Sequence, residues 1–257
     1  MRLPAVLLVV VFTLSACATT RSAADQQRDA RAIAASIRAL DDAGSNFSMQ
    51  ENLRLTGGDI PKGQAEVVKA QASGAVRSGN ARMTYKIQQQ QGSIAFDMII
   101  GKAQLFVRPA GATQVWRSTP ANNLTALYPA VRVDLVREAV LLAKTVSGYS
   151  LAHLDQGFAH KYTVTPASDQ LEQFESIAIQ TSQEAAFLKG AKAEIDVFLS
   201  TPGDHLMRIE VHLSGTDQDN GQTQKVDCVV DFKGGKVGLI GLPIVAQPVQ
   251  PGEALAP

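Results

Sequence analysis

Residues 81–100 read ARMTYKIQQQQGSIAFDMII. Met83, Tyr85 and Ile87 alternate with Thr84, Lys86 and Gln88. After the turn at Gln91-Gly92, Ile94, Phe96, Met98 and Ile100 fall at every second position. Successive side chains of a strand point to opposite faces, so this period of two describes two half-buried strands joined by a tight turn. A sheet built this way is antiparallel, with one wet face and one covered face.

The same pattern extends in both directions. Upstream, residues 47–56 and 64–76 read as strands separated by Gly57-Gly58. Downstream, residues 103–108 and 113–118 follow, the latter carrying the single tryptophan, Trp116. The last third repeats the signal. Ile195, Val197 and Leu199 alternate with Glu194 and Asp196; Met207, Ile209, Val211 and Leu213 alternate with Arg208, Glu210 and His212; Val226, Cys228, Val230 and Phe232 alternate with Lys225, Asp227 and Asp231. Residues 160–165 form a further strand. Helical spacing appears at residues 29–43, through Ile33, Ile37 and Leu40, and at 133–145, through Val133, Val136, Val140 and Leu141. Residues 168–174 and 182–188 suggest two shorter helices opened by Ser168 and Ser182. Eight or nine strands in two meanders, with helices on one side, predict an α+β domain. A strongly twisted antiparallel sheet would curl around those helices on one side.

The first residues follow different rules. MRLPAVLLVVVFTLSA has one positive charge, Arg2, and then an apolar run of about ten residues, half of what a transmembrane helix needs. Leu14-Ser15-Ala16-Cys17 fits a bacterial lipobox, in which the Cys17 sulfur takes a diacylglyceryl group before the signal is cleaved. The expected organisation is a signal peptide over 1–16, a tether over 17–28, one domain over 29–246 and a Pro-rich disordered tail over 247–257. Acylated Cys17 would hold the domain on the extracytoplasmic face of the cell membrane, in periplasm or cell envelope.

Lys and Arg number 24 against 24 Asp and Glu, which argues against a nucleic-acid partner. Two cysteines with separate fates exclude a disulfide scaffold, and Cys228 reads as a small packed hydrophobe. His153, His160, His205 and His212 form no metal-binding spacing, no serine sits in a nucleophile elbow, and no glycine-rich loop resembles a phosphate cradle. Asp196, Glu210, Asp227 and Asp231 fall on the wet face and read as solvated surface. The expectation is a protein that is not an enzyme and needs no cofactor or metal.

What remains is the apolar face. Met83, Tyr85, Ile87, Ile94, Phe96, Met98, Ile100, Val136, Val140, Ile195, Val197, Met207, Ile209, Val211 and Leu213 are its candidate lipid-contacting residues. Two readings are open. These side chains form a solid core against the helices, or they line a smooth aliphatic cavity suited to acyl chains.

The order of features resembles the mycobacterial LppX/LprA/LprF/LprG lipoprotein family. The lipobox Leu14-Ser15-Ala16-Cys17 precedes a helix and Asn46-Phe47-Ser48. Strands end near Val115-Trp116, Val146-Ser147-Gly148-Tyr149 precedes a central strand, and Gly241-Leu242-Pro243-Ile244 resembles the closing segment. The Gln-rich turn at Gln88 to Gln91 and the tail depart from the pattern. The resemblance implies a half-barrel, a strongly curved antiparallel sheet wrapped over helices and enclosing a hydrophobic cavity, similar in architecture to lipoprotein carriers of the LolA/LolB type. It also implies binding of lipid or acylated glycolipid, assistance in its transfer across the envelope, and release to a membrane or an export partner. A LolB-like acceptor of other lipoproteins and a structural docking lipoprotein are the alternatives.

Overall fold

The computed structural model describes residues 22–89, 92–101, 103–120, 137, 140, 146–166, 191–217 and 220–249. Its one complete helix among these is α1 (Ala23–Ala43). Ser22 caps the start by accepting from the Asp25 N–H at 3.2 Å, with Asp25 acidic in the first turn, where the helix dipole favours negative charge. The helix thus begins inside the stretch expected to be tether. At the other end Gly44, at φ 80°, returns its N–H to the Leu40 carbonyl.

Twelve strands follow: β1 (Ser45–Thr56), β2 (Glu66–Arg77), β3 (Asn80–Gln89), β4 (Gly92–Ile100), β5 (Gln104–Pro109), β6 (Trp116–Pro120), β7 (Val146–Leu154), β8 (Gly157–Val164), β9 (Lys192–Ser200), β10 (Leu206–Thr216), β11 (Thr223–Gly234) and β12 (Ala246–Pro248). They form one sheet in the order β12-β6-β5-β4-β3-β2-β1-β11-β10-β9-β8-β7. The two meanders are not separate layers. The first strand of the chain pairs antiparallel with the last long one, Phe47 opposite Phe232 and Met49 opposite Val230.

This overturns the expected α+β half-barrel wrapped over helices around a cavity. The protein is mostly a single open, curved sheet that does not close, with β12 and β7 at its edges. Among the described residues α1 is the only complete helix. Of the segment 133–145, Arg137 and Val140 are helical; its other residues, with 168–174 and 182–188, lie outside the described residues. Two strands were missed. β7 lacks clean alternation because it is an edge strand with a register shift between Val146 and Gly148. β12, whose Gln247 and Pro248 fall in the expected disordered tail, pairs parallel with β6.

Side-chain alternation gives the sheet an inner face under α1 and an outer face. Ile33 and Ile37 of α1 are fully buried against inner-face residues of both meanders, forming one contiguous core. The helix is pinned at its ends of contact by polar groups. The Asp41 carboxylate accepts from the Gly79 N–H at 2.8 Å, and the Asp41 carbonyl from the Ser78 N–H. Ser36 donates to the Asp204 carbonyl at 2.5 Å. α1 therefore ties the β2–β3 turn to the β9–β10 turn across the inner face.

Candidate functional site

Strand register assembles the inner face row by row. One row runs Phe96, Tyr85, Ala72, Met49, Val230, Ile209, Val197, Tyr162, Tyr149 from β4 to β7. All but Tyr149 are buried, and Tyr149 packs against them. Tyr149 also stacks on His160 and hydrogen-bonds its Nδ1 at 2.6 Å. The next row runs Ile94, Ile87, Ala70, Glu51, Cys228, Val211, Ile195, Val164. Beyond it lie Val68, Leu53, Val226, Leu213 and Ala193.

The candidate residues divide accordingly. Met83, Tyr85, Phe96, Met98, Ile100, Val140, Ile195, Val197, Ile209 and Val211 all lie in the main core, with Ile87 partly buried against it. Ile94 is 47% exposed at the far end of the sheet, and Leu213 is half-buried. Val136 lies outside the described residues. Met207 is on the wrong face. A bulge between Leu206 and Arg208 shifts the alternation by one, so Leu206 joins the core. Met207 instead packs on the outer face with Leu154, Ala159 and Phe198. Cys17 lies outside the described residues.

Glu51 was not among the candidates. It occupies an apolar position of β1, in step with Phe47, Met49 and Leu53, and is 6% exposed. Its register partners are Cys228 and Ala70, neither of which can donate a strong hydrogen bond through its side chain. Its Oε2 is buried with no hydrogen-bond partner. Burial alone pushes the carboxyl from an ordinary 4.5 up to about 8. Burial, and secondarily the Glu51 charge, push the Cys228 thiol well above 9, so this free cysteine is a packed apolar group with no reactive thiolate character. The signal that could have found Glu51 was present: an acid in the apolar register of an otherwise clean alternation.

The outer face is a polar ladder. Arg208 donates to Asp231 at 2.6 Å and to Glu210 at 3.2 Å. The Asp231 hydrogen bond, more than any other contribution, holds the Arg208 guanidinium above its ordinary range. Burial would raise the Asp227 carboxyl, but the His212 Nδ1 contact at 2.7 Å and the Lys225 ammonium outweigh it and leave it lowered. Asp196 corrects the expectation of solvated surface, being 1% exposed beneath Thr163, which donates at 2.5 Å, and Lys161 at 2.7 Å. Ligand atoms of Asp196, Glu210 and His212 lie within 4.8 Å of one another, a spacing a cation could use. Each is already engaged by Lys161 and Thr163, Arg208 or Asp227, which is the arrangement of an ion-pair network. Farther along the same face, Arg108 lies 4.4 Å over the Trp116 ring beside Asp97, lining a groove of about 420 Å³.

No family model matches the chain, and no curated protein matches it. Solved structures to which the chain is similar include a DUF1329 family protein from Desulfovibrio piger. It is 9% identical over 84% of this chain and 95% of that one, at a TM-score of 0.30. An uncharacterized conserved protein from Thermus thermophilus is 13% identical over 89% and 99%, at 0.34. Lipovitellin, in a structure describing lipid–protein interactions, is 10% identical over 80% of this chain and 27% of its own, at 0.30. The mycobacterial lipoproteins that the sequence resembles are not among these three, and TM-scores this low assign no function.

Proposed function

We propose that the chain is a membrane-tethered envelope lipoprotein that binds lipid or acylated glycolipid along its inner face and assists its transfer. It acts by binding and performs no catalytic step. The observation that supports this is a gradient along the inner face. Toward α1 the rows are closed. At the other end Leu53, Val226 and Leu213, matched across β1, β11 and β10, are only half-buried, and Ile94 is 47% exposed. An aliphatic trough left partly uncovered is where an acyl chain gains most from leaving water, at about 0.8 kcal/mol per methylene before ordering costs. The lipobox supports the tether, with Cys17 as the acylated residue.

The full-length Cys17→Ala chain, which cannot be acylated there, tests the reading by native mass spectrometry. The expected outcome is copurifying lipid that organic solvent removes, with loss of the corresponding mass. A chain that carries no lipid and takes up no apolar fluorophore overturns it. Capture of acylated peptides in preference to free lipid turns the reading toward an acceptor of other lipoproteins.

A further inference from the structure

Glu51 is a costly residue where it stands. The row Ile94, Ile87, Ala70, Glu51, Cys228, Val211, Ile195, Val164 spans eight strands and contains one carboxyl. Leaving a buried polar atom unpaired is unfavourable, and a leucine there would carry no such cost. No cation faces it. Its neighbours are Cys228 on one side and Ala70 on the other, with Met49 and Leu53 above and below on β1. Ala70 and Ala72 keep the β2 wall beside it low, and the row next to it is the half-buried one that opens the trough. An acid at this boundary has the position of a contact for something that enters from the open end.

We propose that Glu51 is the polar contact of the lipid site, its carboxyl donating a hydrogen bond to the ester or carboxyl oxygen at the head of an acyl chain laid along the inner face. This rests on the lipid-binding reading above. The partner is a neutral acceptor and not an amine. With the carboxyl near 8 by burial, Glu51 carries its proton at neutral pH, and bringing a cation into this apolar row would add a second desolvation cost. The unpaired Oε2 is then satisfied only when ligand is bound, and chains lacking a head oxygen gain nothing from it.

Two probes separate the idea from simple greasiness: methyl parinarate, which has an ester head, and diphenylhexatriene, which has no oxygen. Both are titrated into the full-length Cys17→Ala chain and into the same chain with Glu51→Leu or Glu51→Gln. Glu51→Leu is expected to weaken methyl parinarate about tenfold while leaving diphenylhexatriene unchanged. Glu51→Gln, which keeps a donor of similar shape, is expected to hold both. Thermal unfolding shows that each variant is folded. Wild type that binds neither probe overturns the lipid reading itself. Wild type that binds both, with Glu51→Leu unaltered toward the ester, overturns only the Glu51 assignment. So does a clear preference of wild type for oleylamine over the ester.

Discussion

Burying a carboxyl between Cys228 and Ala70 makes folding take up a proton. Between the ordinary 4.5 of the unfolded chain and about 8 in the folded one, the native state holds one proton more at Glu51. Stability from this group is therefore full below the lower value, falls as pH rises through the window at about 1.4 kcal/mol per unit, and levels off above it. Asp227 works the other way, its lowered carboxyl losing stability only on acidification below its ordinary 3.8, outside that window. Urea midpoints measured from about pH 5 to about pH 9 are expected to decline for wild type and to decline less for Glu51→Gln. Parallel curves would show that water reaches the carboxyl. At this scale the sequence was readable for character and not for context. An acid in an apolar register can be seen in the string FSMQENL, but its lack of a partner cannot. That depends on which residues β11 and β2 bring alongside.

Single elements carry a second kind of constraint. Gly74 sits inside β2, where glycine usually weakens a strand. Here a Cβ would lie 2.0 Å from the Arg82 carbonyl oxygen and 2.7 Å from the Met83 Cα, both backbone of β3. Opposite it across β1 stands the bulky Phe47. Gly74→Ala is thus expected to push β2 off β3 and lose roughly 1–3 kcal/mol, read as a lower urea midpoint with the m-value unchanged. A change too small to measure would show that the pair separates freely there. The strands of both meanders were legible because period-two alternation is a local property of ten residues. The bulge at Met207 was not. Its sequence continues the alternation without a break, and only pairing with β9 shows the extra residue that puts Met207 on the outer face.

On the scale of the molecule, a sheet that does not close has a stability gradient from centre to edge. Among the described residues β1 and β11 are paired on both sides, whereas β7 and β12 are each paired on one side. Native-state hydrogen exchange is expected to be slowest in β1, β11, β2 and β10 and much faster in β7 and β12. Equal protection in β7 would mean that another segment covers that edge. The centre of this sheet is also where its first strand meets its last long one, since β1 and β11 are separated by most of the sequence. That seam also runs through the inner face, because Glu51 and Cys228 face each other across it. Copurifying lipid in the Cys17→Ala chain tests the same surface as a whole.

The apolar face, most of the strands with their turns and the helix packed on the sheet could be read from the amino-acid string, as could the Cys17 motif on which the proposed membrane tether rests. The structural ones among these are short-range properties, set by side-chain period and turn chemistry. Only in three dimensions does it emerge that two meanders are one open sheet, that β12 belongs to it, that Asp196 is buried and Met207 turned outward, and that the Glu51 Oε2 is buried without a hydrogen-bond partner. Each of those depends on pairing between residues far apart in the chain. Periodicity shows which way a side chain points, and only the long-range register determines what it meets.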